Sequence, residues 1–426
     1  MLSTVENVAG SNLITRDPER AAAAHLLRRT ALAVRPERVD ELASMSWSDA
    51  VAAVLDQPGA SGQRGSSGGK APATEHWTDT TDWWIDRMAA ADSGLTDRLA
   101  WFWHGLLTTN AYKVSANSFL AEQLDHLRTN ATGNYRTLLH GYVTGGALLE
   151  YLEASHSVAS NPNENLAREL MELFTVGRGN YNEDDVRAAA RALAGWVVED
   201  DEVQFRRENA FVAPLIYLGE QAEWDTTMIV DRLCDHPATA TRIASRLWDH
   251  LVGVPLTDAA ATDLGDWWRA QDLEILPLVE RILNDPTFAS SSLSRPRGAL
   301  EWYCAARSVL GFDDESWYLE NLGQMPYLPP SVAGWPNGTR WLAPGPLLSR
   351  ASFIHSIDLG EILRRSPGST SASRTEDILD RCSLFEVSPQ TVEAIAQVAN
   401  VPDISPESTQ LVRWRLALTS PEFNLT

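Results

Sequence analysis

Two carboxylates, Glu169 and Glu172, stand three residues apart in the stretch NPNENLARELMELF, residues 161–174. At helical spacing both side chains project from one side of a helix, and Arg168 belongs to the same polar arc. A carboxylate can act as a general base or bind a cation, and a guanidinium group can hold an anionic substrate group. The stretch therefore contains the residue types needed for acid–base chemistry on an anionic substrate.

The same stretch also fits a purely structural helix. Asn161 is suited to the N-cap, Pro162 to the first helical position, and Glu164 to the third position of a capping box. Glu164, Arg168 and Glu172 follow each other at intervals of four residues, and such ion pairs stabilise a helix by roughly 0.2–0.5 kcal/mol each. A structural network of ion pairs and a catalytic cleft are therefore both open interpretations.

A second helix is predicted for NEDDVRAAARALAGWVV, residues 182–198, with Asn182 as its N-cap. Arg187 and Arg191 project together from this helix. The short loop between the two segments makes them an antiparallel pair, named here the helix hairpin, residues 161–198. We expect the acidic face of its first helix to meet the arginine pair of its second helix.

Another candidate region is the Trp/Pro-rich loop, residues 325–350, with the sequence MPYLPPSVAGWPNGTRWLAPGPLLSR and six prolines. Trp335, Arg340 and Trp341 are available to face outward as a rigid platform for a sugar or a peptide. Alternatively, the loop is a lid that buries its tryptophans against helices. His104 stands in the aromatic stretch WFWHG, where it is either a core histidine or a group that assists catalysis.

No metal or cofactor site is expected. Glu169 and Glu172 lack the histidine of the Glu-x-x-His pattern found in carboxylate di-iron helices. The three cysteines, Cys234, Cys304 and Cys382, are far apart and form no Cys-x-x-Cys pair. The sequence contains neither a Gly-rich phosphate loop nor a Gly-x-Ser-x-Gly elbow, so nucleotide-dependent and serine-hydrolase mechanisms have no support in it.

The chain has 426 residues and a formal net charge of −22. Its average surface repels phosphate backbones and anionic lipid head groups, so nucleic acid and membrane surfaces are not expected partners. No apolar run approaches the ~18 residues that indicate a membrane span, and the N-terminal segment lacks the basic-then-apolar order of a signal peptide. We therefore expect a cytoplasmic protein, and the sequence does not indicate its oligomeric state.

Helical periodicity recurs over most of the chain, so the predicted fold class is mainly α, a bundle-like array of many helices. One small β-hairpin is predicted near residues 203–218, where VQFRRE and PLIYLG have strand composition and are expected to pair. The predicted organisation is an N-terminal helical segment (1–58), a Gly/Ser-rich flexible connection (59–75), a main helical domain (76–363), a linker (364–375) and a C-terminal helical unit (376–426).

The segment PNENLARELMELFTVGRGNYNEDDVRAAARALAGW, residues 162–196, resembles the signature of a bacterial family known as domain of unknown function 1800. HLLRRTAL, WFWHGLLTT, PATATRIASRLWDHLVG and LGQMPYLPPSVAGWPNGTRWL match further parts of that family in the same order, so the resemblance covers nearly the whole chain. It implies a mostly helical fold and no accepted activity. Members are often exported and often encoded beside a sulfatase-like protein. The resemblance therefore implies a sulfatase-like protein as a possible partner of this chain.

Histidines that recur in the family are replaced in this chain. Leu106, Phe174 and Ala210 occupy their positions, Phe211 stands where an acidic residue is expected, and His104 is retained. Histidine is the usual metal ligand and proton shuttle near neutral pH. If those positions cooperate in the family, this chain is expected to have lost that chemistry.

We therefore predict a helical binding or assembly protein whose recognition surface combines the helix hairpin with the Trp/Pro-rich loop. The alternative is a hydrolase- or transferase-type enzyme that uses the clustered glutamates and arginines of the hairpin. The candidate catalytic residues are Glu169, Glu172 and His104. The candidate substrate-binding residues are Asn163, Glu164, Asn165, Arg168, Arg187, Arg191, Trp335, Arg340 and Trp341.

Overall fold

A computed structural model describes residues 12–56, 69–90, 92–312, 316–365, 374–402 and 405–426. The predicted flexible connection lies outside these ranges over residues 59–68, and the predicted linker lies outside them over residues 366–373. Within the described ranges the chain forms 22 α-helices and six short strands. The mainly α fold class is therefore confirmed.

The elements follow one another along the chain with short connections. The helices before residue 200 are α1 (Pro18–Thr30), α2 (Pro36–Ala43), α3 (Trp47–Leu55), α4 (Trp77–Ala89), α5 (Leu95–Leu106), α6 (Asn117–Asn130), α7 (Tyr135–Val143), α8 (Gly146–Tyr151), α9 (Glu164–Glu169) and α10 (Glu183–Ala192). The later helices are α11 (Thr226–Asp235), α12 (Pro237–Leu251), α13 (Asp258–Ala270), α14 (Ile275–Leu283), α15 (Pro286–Ala289), α16 (Ala299–Leu310), α17 (Tyr318–Leu322), α18 (Pro344–Ser356), α19 (Leu359–Arg365), α20 (Thr375–Arg381), α21 (Pro389–Gln397) and α22 (Pro406–Thr419). The strands are β1 (Ile14–Thr15), β2 (Trp196–Glu199), β3 (Glu202–Phe205), β4 (Leu215–Tyr217), β5 (Glu220–Ala222) and β6 (Glu386–Val387).

Polar side chains fix the starts of many helices. The Asp17 carboxylate accepts a hydrogen bond from the backbone amide of Arg20 at the start of α1, with Pro18 in the first turn. At the start of α10, Asn182 and Asp185 form a reciprocal capping box, which confirms the predicted N-cap. These contacts satisfy backbone amides that have no acceptor inside the helix.

The helices pack around a cluster of buried apolar side chains that extends from α1 to the segment after α22. Its largest members are Trp84, Trp103, Trp268, Trp302 and Trp414, each with less than 2% of its surface exposed. An aromatic side chain of this kind removes roughly 150–250 Å² from water. The tryptophan-rich stretches of the sequence therefore supply much of the hydrophobic stabilisation of the core.

The strand pairing differs from the predicted one. Strand β3 overlaps VQFRRE, but it pairs with β2, while β4 of PLIYLG pairs with β5. The region thus contains two tight hairpins rather than one hairpin between the two predicted strands. Asp200 and Asp201 form the first turn with φ angles of 50° and 59°, and Leu218 and Gly219 form the second with 45° and 79°. Left-handed residue pairs of this kind favour two-residue hairpin turns.

The N-terminal segment contacts the C-terminal unit directly. Strand β1 pairs with β6, with Ile14 opposite Val387. The Arg16 guanidinium group lies 2.9 Å from the Asp380 carboxylate, and the guanidinium group of Arg28 in α1 donates a hydrogen bond of 2.9 Å to the Ser383 carbonyl. The predicted domain boundaries stay a prediction, but these two outer segments share an interface.

Two further findings concern the described ranges only. The longest helix there, α12, has 15 residues, whereas a membrane-spanning helix needs roughly 20. In those ranges no helix is both long and apolar enough to cross a bilayer. No group of three or more His, Cys, Asp or Glu side chains in the same ranges is placed to hold a metal ion.

Candidate functional site

The first helix of the helix hairpin begins two residues later than predicted. Asn163, not Asn161, is the N-cap of α9, and its side-chain oxygen accepts a hydrogen bond of 2.7 Å from the backbone amide of Asn165. The Asn163 amide group donates to the carbonyl of Glu153 at 2.6 Å, and the Asn165 amide group donates to that of Leu152 at 3.3 Å. Both asparagines thus attach the start of the hairpin to the residues after α8.

The first helix does not continue as one α-helix to Gly177. Leu170–Phe174 form a π-helical turn directly after α9. The carbonyl of Phe174 accepts a hydrogen bond of 2.5 Å from the Tyr135 hydroxyl, and the carbonyl of Leu173 accepts one from the Arg242 guanidinium group. These side chains satisfy carbonyls that have no partner at a helix end. The widened turn is therefore held between α7 and α12, and π-turns are frequent at functional sites.

One bidentate ion pair joins the two helices of the hairpin. The Arg168 guanidinium group donates to the two carboxylate oxygens of Glu183 at 2.8 and 2.9 Å, and to Glu164 at 3.3 Å. The ion pair between the helices therefore does not use the expected arginine pair, although the charge of Glu164 in the first helix acts on Arg187 in the second. The arginine of this ion pair comes from the first helix and the acid from the second.

The predicted arginine pair of α10 makes other contacts. Arg187 forms an ion pair with Asp184 one turn earlier in the same helix. The guanidinium group of Arg191 lies 5.4 Å from the centre of the Phe211 ring. Both arginines are exposed, so the structure does not bring them together with Glu169 and Glu172.

The two glutamates of the predicted acid pair have different environments. Glu172 accepts hydrogen bonds from Arg178 at 2.6 Å and from the Tyr181 hydroxyl at 3.3 Å. The Arg178 hydrogen bond lowers the pKa of Glu172. Glu169 is half-buried, and this burial, together with the neighbouring charge of Glu172, raises its pKa. Glu169 is thus the member of the pair that holds its proton more readily.

A cavity of about 370 Å³ lies beneath the Trp/Pro-rich loop, at some distance along the chain from the hairpin. One wall comes from the second half of α5, a second from the end of α12, and a third from the segment that leads into α16. The loop covers these walls. Its aromatic lining is Trp101, Phe102, Trp335 and Trp341, and its charged lining is Arg246, Asp249, Arg295 and Glu301.

Two contacts seat the loop on α5. The ring nitrogen Nε2 of His104 accepts a hydrogen bond of 3.1 Å from the backbone amide of Tyr327. His104 is fully buried, and burial lowers its pKa to about 3, so the ring is neutral at physiological pH. Gly334 has a φ angle of 80°, and a Cβ atom there would collide with the carbonyl oxygen of Gly105. His104 therefore positions the loop and is not one of the residues that line the cavity.

The tryptophans of the loop are buried in the way the lid interpretation expects. Trp335 is 7% exposed and Trp341 is 4% exposed. The Trp335 ring lies 5.4 Å from that of Trp101, and Nε1 of Trp341 donates to the Pro336 carbonyl at 2.7 Å. Both rings also line the cavity. Arg340, the third predicted residue of the loop, is exposed and does not line it.

A set of buried charges lies at the inner end of the cavity. The Glu301 carboxylate, 5% exposed, lies 3.1 Å from Arg98 and 2.5 Å from Arg295. Burial alone would raise the pKa of Glu301, but the guanidinium groups of Arg295 and Arg98 hold it well below its usual range. Glu301 is therefore ionised at all physiological pH values. Arg29, which is fully buried, donates to the carbonyl of Ser291 at 2.9 Å.

The sequence predicted Trp335 and Trp341 of the cavity, but neither its charged lining nor Arg98 behind it. Arg98, His250, Arg295 and Glu301 come from segments far apart in the chain, so no local pattern unites them. A usable signal was nevertheless present, because Arg98 and Glu301 stand among the large apolar side chains of LTDRLAWFWHGL and ALEWYCAARSVL. A charged residue in a helix that must be buried on all sides requires a partner inside the protein.

Fold and site together define a mainly helical protein with an aromatic-lidded cavity that ends in buried charges. The family described as Protein of unknown function (DUF1800) matches residues 25–425. This match covers nearly the whole chain, so the chain belongs to that family, and the resemblance seen in the sequence is confirmed. Neither the curated proteins nor the solved structures contain a significant match to it.

Proposed function

We propose that this protein binds a small ligand in the cavity beneath the Trp/Pro-rich loop and acts as a binding or assembly protein. The observation that carries the proposal is the convergence of three tryptophans, Trp101, Trp335 and Trp341, with polar side chains on one cavity of about 370 Å³. Ligand sites are typically concave, about 300–1,000 Å³ in volume, mostly apolar and equipped with few polar groups. The cavity lies in this range of volume, and its surface is about equally polar and apolar, so it suits a ligand that carries both kinds of group.

The loop provides a preformed wall for such a ligand. Its six prolines restrict the backbone. Trp335 packs against Trp101 of α5, and Trp341 is buried. A rigid site loses little conformational entropy when the ligand binds, so more of the contact energy is available as affinity. Flat rings also suit a ligand with an apolar or sugar-like face.

The helix hairpin supports this site through α12. Arg242 bonds the carbonyl of Leu173 in the π-turn, and Arg246, one turn further along α12, lines the cavity. We therefore assign to the hairpin the role of holding α12 in place. Its exposed arginines, Arg187 and Arg191, stay a predicted recognition surface for a partner protein.

A titration of tryptophan fluorescence and thermal stability against a collection of sugars, acids and peptides tests the proposal. We expect a compound that raises the melting temperature of the wild type to lose this effect in Trp341→Ala, which removes one cavity wall. The matched control is Trp317→Ala, because Trp317 is 60% exposed and does not line the cavity. Equal effects in both variants would show that the ligand binds elsewhere.

A second candidate function is the hydrolase- or transferase-type enzyme. The observation that favours it is the contrast between Glu169, whose pKa is raised, and Glu172, whose pKa is lowered. Carboxylates with pKa values pushed apart can divide the acid and base roles of a reaction. We expect Glu169→Gln to abolish any turnover of a hydrolysable substrate, with Glu320→Gln, at an exposed glutamate of α17, as control. Unchanged turnover in a folded Glu169→Gln variant would eliminate this candidate.

A further inference from the structure

Guanidinium groups crowd the inner end of the cavity. Arg29 and Arg98 are 0% and 1% exposed, and the side chain of Arg295 is 13% exposed. Glu301 pairs with Arg98 and Arg295 at 3.1 and 2.5 Å. The charges that act on Arg29 most strongly are the guanidinium groups of Arg295, Arg98 and Arg28, opposed by Glu301. The buried positive charge here therefore exceeds the negative charge that faces it.

The same cluster of arginines has more hydrogen-bond donors than the protein offers acceptors. Among the described residues, several buried nitrogen atoms of this cluster have no hydrogen-bond acceptor within the protein. They are Nε and Nη1 of Arg29, Nε and Nη2 of Arg98, and Nε of Arg295. The buried Nε2 atom of His250 is also without a protein partner. A buried charge without compensation costs several kcal/mol, so such groups are normally paired.

Part of this cluster reaches the surface of the cavity, whereas Arg29 and Arg98 lie behind it. Arg295, His250 and Glu301 line it, and so does Gly253 after the end of α12. A Cβ atom at Gly253 would lie 3.2 Å from Nη1 of Arg29 and 2.6 Å from Cβ of Arg295. The absence of a side chain at residue 253 therefore leaves Arg29 directly behind the cavity wall. The lining carboxylates Asp249 and Glu301 balance Arg246 and Arg295, so the excess charge comes from Arg29 and Arg98 behind that wall.

We infer that the ligand of this cavity carries an anionic group, a carboxylate or a phosphate, which the guanidinium group of Arg295 holds beside His250, with the charge of Arg29 acting from behind the wall. The inference rests on the proposed function, because it names the class of ligand for the same cavity. Guanidinium groups match the planar carboxylate and the phosphate group geometrically and bind them through charge-assisted hydrogen bonds.

The rest of the ligand lies between the aromatic wall and the polar mouth. Trp335 and Trp341 offer flat faces, while Asp249 and Asn337 present hydrogen-bonding groups nearer the solvent. Hydroxyl groups on the ligand satisfy such groups, whereas a second anionic group at the mouth is repelled by Asp249. The ligand class is therefore a small hydroxylated molecule with one anionic end, such as a sugar acid or a sugar phosphate.

Calorimetric titration of the full chain with defined probes tests the inference. We expect inorganic phosphate and glucuronate to bind at one site in competition with each other, and glucose to bind at least tenfold more weakly than glucuronate. Sodium chloride at equal ionic strength serves as the control for general salt effects. Equal binding of glucose and glucuronate would overturn the anion inference and leave the proposed function standing. A second result would also overturn the anion inference alone: neither phosphate nor glucuronate binds, but neutral ligands still bind and lose their binding in Trp341→Ala.

Two variants are expected to change the affinity for phosphate in opposite directions. Arg295→Gln removes one charge-assisted donor and is expected to weaken phosphate binding about tenfold or more. Glu301→Gln removes the carboxylate that competes with the ligand for Arg98 and Arg295, so phosphate binding is expected to strengthen. Arg269→Gln, which removes an exposed arginine of α13, is the matched control. If Arg295→Gln does not fold, Glu301→Gln decides alone, and unchanged or weaker phosphate binding in it would contradict the inference.

Discussion

The helix hairpin and the cavity beneath the loop are both rich in arginine and glutamate, but they differ in where those charges lie. In the hairpin, the side chains of Arg168 and Glu183 are 35% and 60% exposed. In the cavity region, those of Arg98 and Glu301 are 1% and 5% exposed. The charges of the hairpin therefore lie on a solvated surface, whereas those of the cavity region belong to the interior.

The difference has a large energetic consequence. An exposed ion pair contributes about 0–1 kcal/mol to stability, because water screens it and both side chains lose freedom. Loss of one partner from a buried ion pair costs about 3–5 kcal/mol, because the remaining charge stays buried and uncompensated. The hairpin is thus expected to tolerate charge substitutions that the cavity region does not.

The largest effect is expected from truncation of the buried carboxylate. Glu301→Ala leaves Arg98 and Arg295 without their shared partner and should lower the free energy of unfolding by about 3–5 kcal/mol. Glu183→Ala, its counterpart in the hairpin, should change it by at most about 1 kcal/mol. Urea unfolding of the two variants measures both values. Similar losses in the two would remove the distinction between the regions.

A glycine in each region sharpens the comparison, since Gly177 and Gly334 share a φ angle of 80°. A Cβ atom at Gly177 meets the side chain of Arg242 at 3.0 Å, which can move, whereas one at Gly334 meets the backbone carbonyl of Gly105. The strain of the left-handed backbone is common to both. Gly334→Ala should therefore be less stable than Gly177→Ala by about 1–3 kcal/mol, as measured by chemical denaturation. The reverse order would show that the loop is not seated on α5.

Mild acid should act on the cavity region through a buried histidine, whereas the hairpin contains no histidine. Burial lowers the pKa of His104 from 6.5 to about 3. Below pH 6.5 the unfolded chain binds a proton there that the folded protein excludes, so stability is complete above pH 6.5 and falls as the pH decreases. Between pH 6.5 and 5 this group alone should account for a loss of about 2 kcal/mol.

The variant His104→Gln tests this pH dependence. A glutamine side chain retains an acceptor for the Tyr327 amide but does not titrate. The loss of unfolding free energy between pH 6.5 and 5 should therefore be about 2 kcal/mol smaller in the variant than in the wild type. An identical pH dependence would indicate that His104 is accessible to protons in the folded state.

The smallest effect is expected inside the hairpin. A double-mutant cycle of Arg168→Ala and Glu183→Ala should give a coupling energy of about 0.2–1 kcal/mol. This coupling should decrease further in 1 M salt, where the Debye length is about 3 Å. A coupling above roughly 2 kcal/mol, insensitive to salt, would place this pair in the same class as Arg98 and Glu301.

The sequence predicted what depends on local spacing. Helical periodicity indicated the fold class, and the capping box of Asn182 and Asp185 was found because its partners are three residues apart. The hairpin turns at Asp200 and Leu218 were missed, although two left-handed residues in succession explain both of them. For Trp335 and Trp341 the sequence left open whether they face solvent or pack inward as part of a lid, because periodicity does not determine which way a loop side chain points.

The buried charges of the cavity could not be predicted in the same way. Arg29, Arg98, Arg295 and Glu301 belong to three helices and a connecting segment, and only tertiary packing brings them together. The π-turn at Leu170–Phe174 was missed for a related reason. Its carbonyls are satisfied by Tyr135 and Arg242, which lie in other helices and leave no trace in the local pattern.

The contacts between the two outer segments have a consequence for biosynthesis. Arg28 in α1 bonds the carbonyl of Ser383, which follows it by 355 residues. At a synthesis rate of about 5–20 residues per second, α1 waits roughly 20–70 s for that partner to leave the ribosome. During this interval the Arg28 guanidinium group lacks this acceptor, so the environment of α1 is completed only after the C-terminal unit has been synthesised.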